Sequence, residues 1–584
     1  MLIEQKLSDY INKASDLAGK TFEKKVRVAI LCSFTINGIE DAIRVKAADK
    51  NIDCTVYAGG YNQHNQEILN QDSDLYKFSP HISFLMMDTR NVLGEIFHFP
   101  YSISESERKS FIEKKIKEIE DLINIFTSRT KSKLVIANFN IPTYSSYGLF
   151  ETKTEYGFHK MIEDLNHRLA SSFANSGSVY VYDFNSFVSQ YGENNVFDYK
   201  LFFFGDIKVS PDYIPYLAND FMSYIIGYLG ITKKCIVLDL DNTLWGGIIG
   251  EDEFSGIKLG PEPPGNAYVE FQKVLLALHQ RGIILAINSK NNYDDALKVI
   301  KEHPYMILRE EHFASLKINW NDKVSNIKEI ANELNIGLDS MVFIDDDPIN
   351  REFMKLSLPE ILTVDPSPDP SQYTNIIKKM NEFSALNITS EDTQRGKMYS
   401  EQRKRSELEH TVTDIESFLK QLELKVFIKS ANEFTIPRIS QLTLKTNQFN
   451  LTTKRYQESD IQKFSNDDKY FVGCAQVLDK FGDNGITGVF VVRKDNSKEW
   501  FLDTFLMSCR VMGREVEKGL LGHIINKAKE SGVERIKAQF IPTQKNKPIE
   551  NFLPACGFKK DGDYWIYSLD SKLTIPNYLV VRVE

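Results

Sequence analysis

The chain is predicted to be an α/β protein organised in three units around largely parallel sheets. Short β-branched apolar runs recur with helical stretches between them, the rhythm of strand–helix–strand units. In the middle of the chain several of these runs end directly in carboxylates, amides or hydroxyls, the residue types expected at the ligand-binding edge of a parallel sheet. Length agrees: at roughly one to two hundred residues per domain, 584 residues exceed what one core organises.

The first series of runs is Val26 to Leu31, His81 to Met87, Leu134 to Asn138 and Val179 to Asp183. All are rich in Val, Ile and aromatic residues, and they define a unit over residues 1–230. A second series runs through Cys235 to Leu240, Ile283 to Asn288, Met341 to Asp345 and Ile361 to Asp365. Amphipathic helices over Ala267 to Arg281 and Lys323 to Leu334 separate them, which gives a second unit over 231–370. Residues 371–421 follow a Pro-rich stretch and read as a charged helical connector, with a helix over Glu391 to Glu409. The last unit, 422–584, is expected to place strands at Phe471 to Leu478, Thr487 to Arg493, Trp500 to Ser508 and Arg535 to Phe540. A helix from about Glu515 to Lys529 lies within it.

Composition excludes several classes. Hydrophobic residues at 42% and charged residues at 26% are ordinary for a folded globular chain and exclude disorder as the main state. A formal charge of -9 argues against a nucleic-acid coat, so partners are expected among small molecules and proteins. No apolar run is long enough to span a bilayer, and the N-terminus reads as an amphipathic helix without a signal peptide's apolar core. No membrane partner and a cytoplasmic location are the expectation. The six cysteines, at 32, 54, 235, 474, 509 and 556, have neither metal-ligand spacing nor a disulfide framework and are expected to be reduced.

The strongest chemical signal is the apolar strand that runs from Cys235 into Asp239 and Asp241, with Thr243 two residues on. Spacing of two keeps both carboxylates on one side while strand geometry lasts. A hard cation such as Mg²⁺ lets carboxylates share a site beside a phosphate. The second strand ends at Asn288-Ser289, offering a hydroxyl, and the third ends at Asp345-Asp346-Asp347. Lys323 opens the helix between them. Any single Asp here is equally well read as a helix N-cap. An ordered set of carboxylates, a Ser and a Lys on three strand ends is not explained by capping.

This set resembles the haloacid dehalogenase superfamily, whose four motifs occur in the same order. The resemblance implies a Rossmann-like domain with Asp239 as nucleophile and Asp241 as general acid/base. It also implies phosphate binding by Thr243, Ser289 and Lys323, and Mg²⁺ held among Asp239, Asp241, Asp345 and Asp346. Only 48 residues separate Asp241 from Ser289, and 34 separate Ser289 from Lys323, which leaves little room for a cap domain and predicts an open site. The string Leu240 to Asp252, with Asn319-Trp320 and Phe343 to Pro348, is similar to the FkbH-like branch, subfamily IIIC. That resemblance implies removal of phosphate from 1,3-bisphosphoglycerate and loading of a glyceryl unit onto an acyl carrier protein, in polyketide-like or surface-polysaccharide biosynthesis. The branch often has Cys directly before the motif-two Ser, a plausible acyl acceptor; this chain has Asn288. Two alternatives stand beside this reading. One is a phosphatase on another substrate fused to an acyltransferase that uses coenzyme A or phosphopantetheine; the other is a non-catalytic biosynthetic scaffold.

The flanking units carry weaker signals. Ser508 to Glu515 joins a strand to a helix, where backbone N–H groups with Arg510, Gly513 and Arg514 suit a pyrophosphate. With Asn546 further on, residues 422–570 resemble the GNAT acetyltransferase fold, which implies acetyl-CoA or a phosphopantetheine group at this turn. Glu515 departs from the Gly or Ala usual there. The first unit resembles a degenerate SGNH-hydrolase, flavodoxin-like sheet with Ser33 and Asn138 as relics. No Asp-x-x-His follows to supply a base, so binding or scaffolding is its expected role.

Overall fold

β1 (Lys24–Cys32) is fully buried from Val28 to Cys32, as a central strand covered on both faces must be. It anchors a five-stranded parallel sheet in the order β2-β1-β3-β4-β5, with β2 Ile52–Ala58, β3 Ile82–Met86, β4 Lys133–Ala137 and β5 Val179–Tyr182. This computed structural model describes residues 5–389, 392–396, 398–399, 401 and 415–584. By contact density the chain divides into Met1–Tyr228 and Leu229–Glu584. The expected helix Glu391 to Glu409 falls largely outside the described residues.

The long helix Glu105–Arg129 is set by a capping box in which Ser104 and Glu107 satisfy each other's backbone N–H groups. It buries Ile112, Ile116, Ile119 and Ile123 against the first sheet, the i, i+4, i+7 stripe of an amphipathic helix.

The second unit holds two sheets. One is parallel, in the order β10-β9-β6-β7-β8, with β6 Cys235–Leu238, β7 Ile284–Ser289, β8 Phe313–Ile318, β9 Met341–Ile344 and β10 Leu362–Val364. All four residues of β6 are buried. The helices Gly265–Gln280 and Lys323–Leu334 pack in separate clusters, with Phe271 and Leu275 in one and Ile327 and Ile330 in the other. Trp245 is among the largest fully buried side chains, so its truncation to Ala costs about 3–5 kcal/mol.

The other sheet is mixed, with the order β17-β18-β16-β15-β14-β13-β11-β19, and β12 pairs off this path with β15. Its strands are β11 Lys425–Ser430, β12 Phe449–Asn450, β13 Tyr470–Asp479, β14 Gly482–Lys494, β15 Glu499–Met507, β16 Arg535–Ala538, β17 Lys559–Asp561, β18 Tyr564–Ser568 and β19 Val580–Val583. β15 and β16 are parallel, and the helix Val516–Glu530 makes the crossover between them. Among the described residues no helix is long and apolar enough to cross a membrane. The five cysteines whose side chains are described are free and buried.

Candidate active site

Parallel register places Leu238 beside Ile344 on one side and Ile287 on the other. Asp239 and Asp345 therefore leave the sheet side by side, and the Asp239 N–H donates to the Ile344 carbonyl at 3.0 Å. The helix Lys323–Leu334 is capped by Asp322, whose carboxylate accepts from the Ser325 N–H. That start aims Lys323 between the two carboxylates, with Nζ 2.6 Å from Asp345 Oδ2 and 3.0 Å from Asp239 Oδ2. Capping thus accounts for Asp322, and for Asp347 at the start of Pro348–Ser357, but not for Asp239 or Asp345.

Carboxylate oxygens of Asp239, Asp345 and Asp346 lie within 4.8 Å of one another. Asp239 Oδ1 is buried without a hydrogen-bond partner. Three carboxylates this close, one with an orphaned oxygen, fit a hard divalent cation. Their electrostatics agree. Burial first, then repulsion from Asp239 and Asp345, pushes the Asp346 carboxyl up to about 7. Burial and Asp239 raise Asp345 as well. Burial alone would lower Lys323, but the two facing carboxylates outweigh it and hold the ammonium above its ordinary value.

Asp241 is not in this cluster. Its Oδ1 accepts from Trp245 Nε1 at 2.9 Å and the Ile249 N–H at 3.1 Å, and its Oδ2 from Asn291 Nδ2 at 3.0 Å. Burial raises its carboxyl despite these donors, which suits a group that must hold a proton. Expected both as the acid/base and as a metal ligand, its side chain is held by three donors outside the three-carboxylate cluster. Asn291 also donates to Ser289 Oγ at 3.1 Å and so links Ser289 to Asp241. Thr243 Oγ1 is buried without a partner.

Sequence reasoning passed over Trp245, Asn291, Gln272 and Arg351. Gln272 donates to the Leu244 carbonyl and accepts from the N–H groups of Ile307 and Leu308, pinning the loop after β6. Arg351 donates to the main-chain carbonyls of Asp345 and Asp346. Asn291 alone had a legible signal, its spacing of two from Ser289. Asn288 points the other way. It is fully buried, donates to the Lys323 carbonyl at 2.8 Å and accepts from Asn326 Nδ2 at 3.0 Å. The expected lack of a cap is matched locally. Helices Ile249–Gly256 and Gly265–Gln280 fill the first interval, and helix Tyr293–Glu302 with β8 fills the second.

In the last unit the turn before Val516–Glu530 turns its arginines inward. Arg510 contacts Ser508 Oγ and Met398 Sδ, and Arg514 pairs with the buried carboxylate of Asp479. Gly513 takes a φ of 79°, which favours glycine. Glu515 is bound by Lys518 and by Tyr578 Oη; burial works against ionisation, but these partners hold its carboxyl below the ordinary range. Asn546 is fully buried and donates to the carbonyls of Asn450 and Ile541, so it ties the chain after β16 to β12. In the first unit Ser33 Oγ accepts from the Asp88 N–H, and Asn138 donates to Asp183. Unforeseen beside them is a buried ion pair, Lys208 with Asp88 at 2.7 Å, which Asn140 joins.

Known proteins agree with this architecture. Residues 27–226 match the family model described as FkbH, N-terminal domain. The crystal structure of the N-terminal part of BF1531 from Bacteroides fragilis, which contains a phosphatase domain and is complexed with Mg, is 26% identical at a TM-score of 0.60. It matches 66% of this chain and 100% of its own. A putative GNAT-family acetyltransferase from Desulfovibrio desulfuricans is 12% identical over 25% of this chain and 99% of its own, at a TM-score of 0.21. The ribosomal-protein-S18-alanine N-acetyltransferase of Escherichia coli is 13% identical over 24% of this chain and 90% of its own, at 0.20. At such scores, what those two proteins acetylate says nothing about this chain. No curated protein matches significantly. By the first two matches, residues 27–226 are similar to the FkbH N-terminal domain, and 66% of the chain is similar to a protein that contains a phosphatase domain.

Proposed function

We propose that this chain is a cytoplasmic, Mg²⁺-dependent phosphoryl-transfer enzyme. In this reading it removes phosphate from 1,3-bisphosphoglycerate and passes the glyceryl unit to an acyl carrier protein thiol. One observation carries the phosphoryl chemistry: Asp239 presents an unpartnered buried oxygen within a triad of carboxylates that a lysine partly neutralises. The choice of substrate and carrier rests on the similarity of Leu240 to Asp252 to the FkbH-like branch.

Asp239, Asp345 and Asp346 would hold the Mg²⁺, which when bound supplies positive charge beside the phosphoryl oxygens. Asp239 Oδ1 attacks phosphorus of the 3-phosphate, the bond to the C3 oxygen breaks, and Asp241 gives that oxygen its proton. The acyl 1-phosphate stays intact, so that the carrier thiolate can attack the C1 carbonyl and expel the 1-phosphate as inorganic phosphate, forming the thioester. Asp241 then takes a proton from the water that cleaves the aspartyl-phosphate and releases phosphate. Lys323 and Ser289 stabilise charge on the phosphoryl group throughout. Asn288 supports direct transfer to the carrier, because its position faces the helix Lys323–Leu334 and not the carboxylates.

The test is the intact mass of a phosphopantetheinylated carrier protein incubated with the chain, Mg²⁺ and 1,3-bisphosphoglycerate. The reading expects a glyceryl adduct that is absent with Asp239→Asn. Phosphate release without an adduct would retain the phosphatase and discard the carrier.

A further inference from the structure

The sheet of the first unit runs β2-β1-β3-β4-β5, so the chain reverses its direction of growth between β1 and β3. At such a switch point the two following loops diverge and leave a crevice outside the carboxyl ends of the strands. Here that crevice is a cavity of about 650 Å³, lined by Ser33, directly after β1, and Met87, directly after β3. Its volume falls in the range of small-molecule sites.

The lining states what it would take. Its uncharged polar groups are Ser33, Asn62, His64, Asn65 and Asn91. His64 is 6% exposed, and its Nδ1 is buried without a hydrogen-bond partner. A buried polar atom left unmatched costs about 1–3 kcal/mol, which a ligand donor would relieve. Burial also lowers the His64 pKa, so the ring is neutral near pH 7. Three charged residues also line it, and each is paired, Lys115 with Glu118 and Asp121 with Lys117 outside the lining. The opposite wall is aliphatic, including Leu69, Ile119 and Leu122, and no Phe, Tyr or Trp lines the cavity to stack on a flat ring. Hydrogen-bonding groups of both senses face an aliphatic wall without net charge or aromatic faces.

We propose that the first unit binds an uncharged aliphatic chain bearing amide groups in this switch-point cavity. The site is built from residues of the first unit alone and does not rest on the phosphatase reading.

Pantetheine is a suitable probe, since it carries two amides and a dimethyl carbon without charge or ring, and its 4′-phosphate adds a charged phosphoryl group at one end. Calorimetric titration of the full chain should give saturable one-site binding of pantetheine and clearly weaker binding of the phosphate. His64→Leu should weaken pantetheine by roughly tenfold, the equivalent of one charge-free hydrogen bond, while phosphate release is unchanged. Asn91→Trp, which fills the cavity from an exposed position, should abolish binding and serves if His64→Leu does not fold. Absence of saturable binding, equal affinity for the phosphate, or binding unaltered by these substitutions would overturn the proposal.

Discussion

Without a cation, the carboxylate triad should make the second unit lose stability as pH rises. The Asp346 carboxyl is held at about 7, against an ordinary value of 3.8. Between those values the folded chain keeps a proton that the unfolded chain has released, so unfolding is favoured as pH increases. Over the whole interval this linkage has an upper bound of about 4 kcal/mol, which solvent screening of the partly exposed carboxyl reduces. The loss begins near pH 4 and levels off above 7. Mg²⁺ binds the deprotonated cluster, so saturating Mg²⁺ should shrink the fall, and Asp346→Asn should reduce it without metal, leaving the part that the raised Asp345 and Asp241 carboxyls contribute. Urea unfolding of the full chain across pH 4–8, in chelator and in Mg²⁺, measures this directly. Tryptophan emission is a selective probe, because Trp245, Trp320, Trp500 and Trp565 all lie after Leu229. Stability in chelator that is level across this range, or that Mg²⁺ fails to raise at pH 8, would refute the electrostatic account.

Further outcomes follow from the same contacts. Lys323→Met, assayed in Mg²⁺, should lower kcat by roughly 10²–10³-fold, the cost of one preorganised charge at a transition state; a value within threefold of the parent contradicts its role. Trp245→Phe keeps the ring packing but removes the N–H donated to Asp241. It should lower kcat roughly ten- to a hundredfold with little change in KM, since a hydrogen bond to a charged group is worth about 1.5–3 kcal/mol. Asn288→Cys places a thiol where the side chain is buried against the Lys323 carbonyl. Peptide mass spectrometry after turnover should find no acyl group on it, and a loaded thiol would restore the relay through this position.

The elements and site residues differ in how openly the sequence declares them. Buried parallel strands such as β6 read as continuous apolar runs because both faces are covered, and the carboxylate that follows marks the edge where ligands bind. β2 and β8 went unpredicted. Both are edge strands with polar residues between the apolar ones, Asp53 and Thr55 in one and Ser315 and Lys317 in the other. The charged candidate residues were legible because their order along the chain resembles a known pattern. Trp245 and Asn291 act through hydrogen bonds to Asp241 that exist only once the loops after β6 and β7 meet. The Lys208–Asp88 pair, 120 residues apart, is equally silent in one dimension. The inward turn of Arg510 and Arg514 depends on Met398 and Asp479, far from them in sequence, so the turn alone gave no sign of it.

The central claim is that Asp239 is the nucleophile. Its most direct test is acid quenching of the enzyme during turnover of 1,3-bisphosphoglycerate with Mg²⁺, followed by mass spectrometry of the peptide that spans Cys235 to Trp245. The account predicts one added phosphoryl group on Asp239, lost on hydroxylamine treatment and absent from Asp239→Asn. Turnover with that peptide unmodified, or undiminished phosphate release by Asp239→Asn, would contradict it.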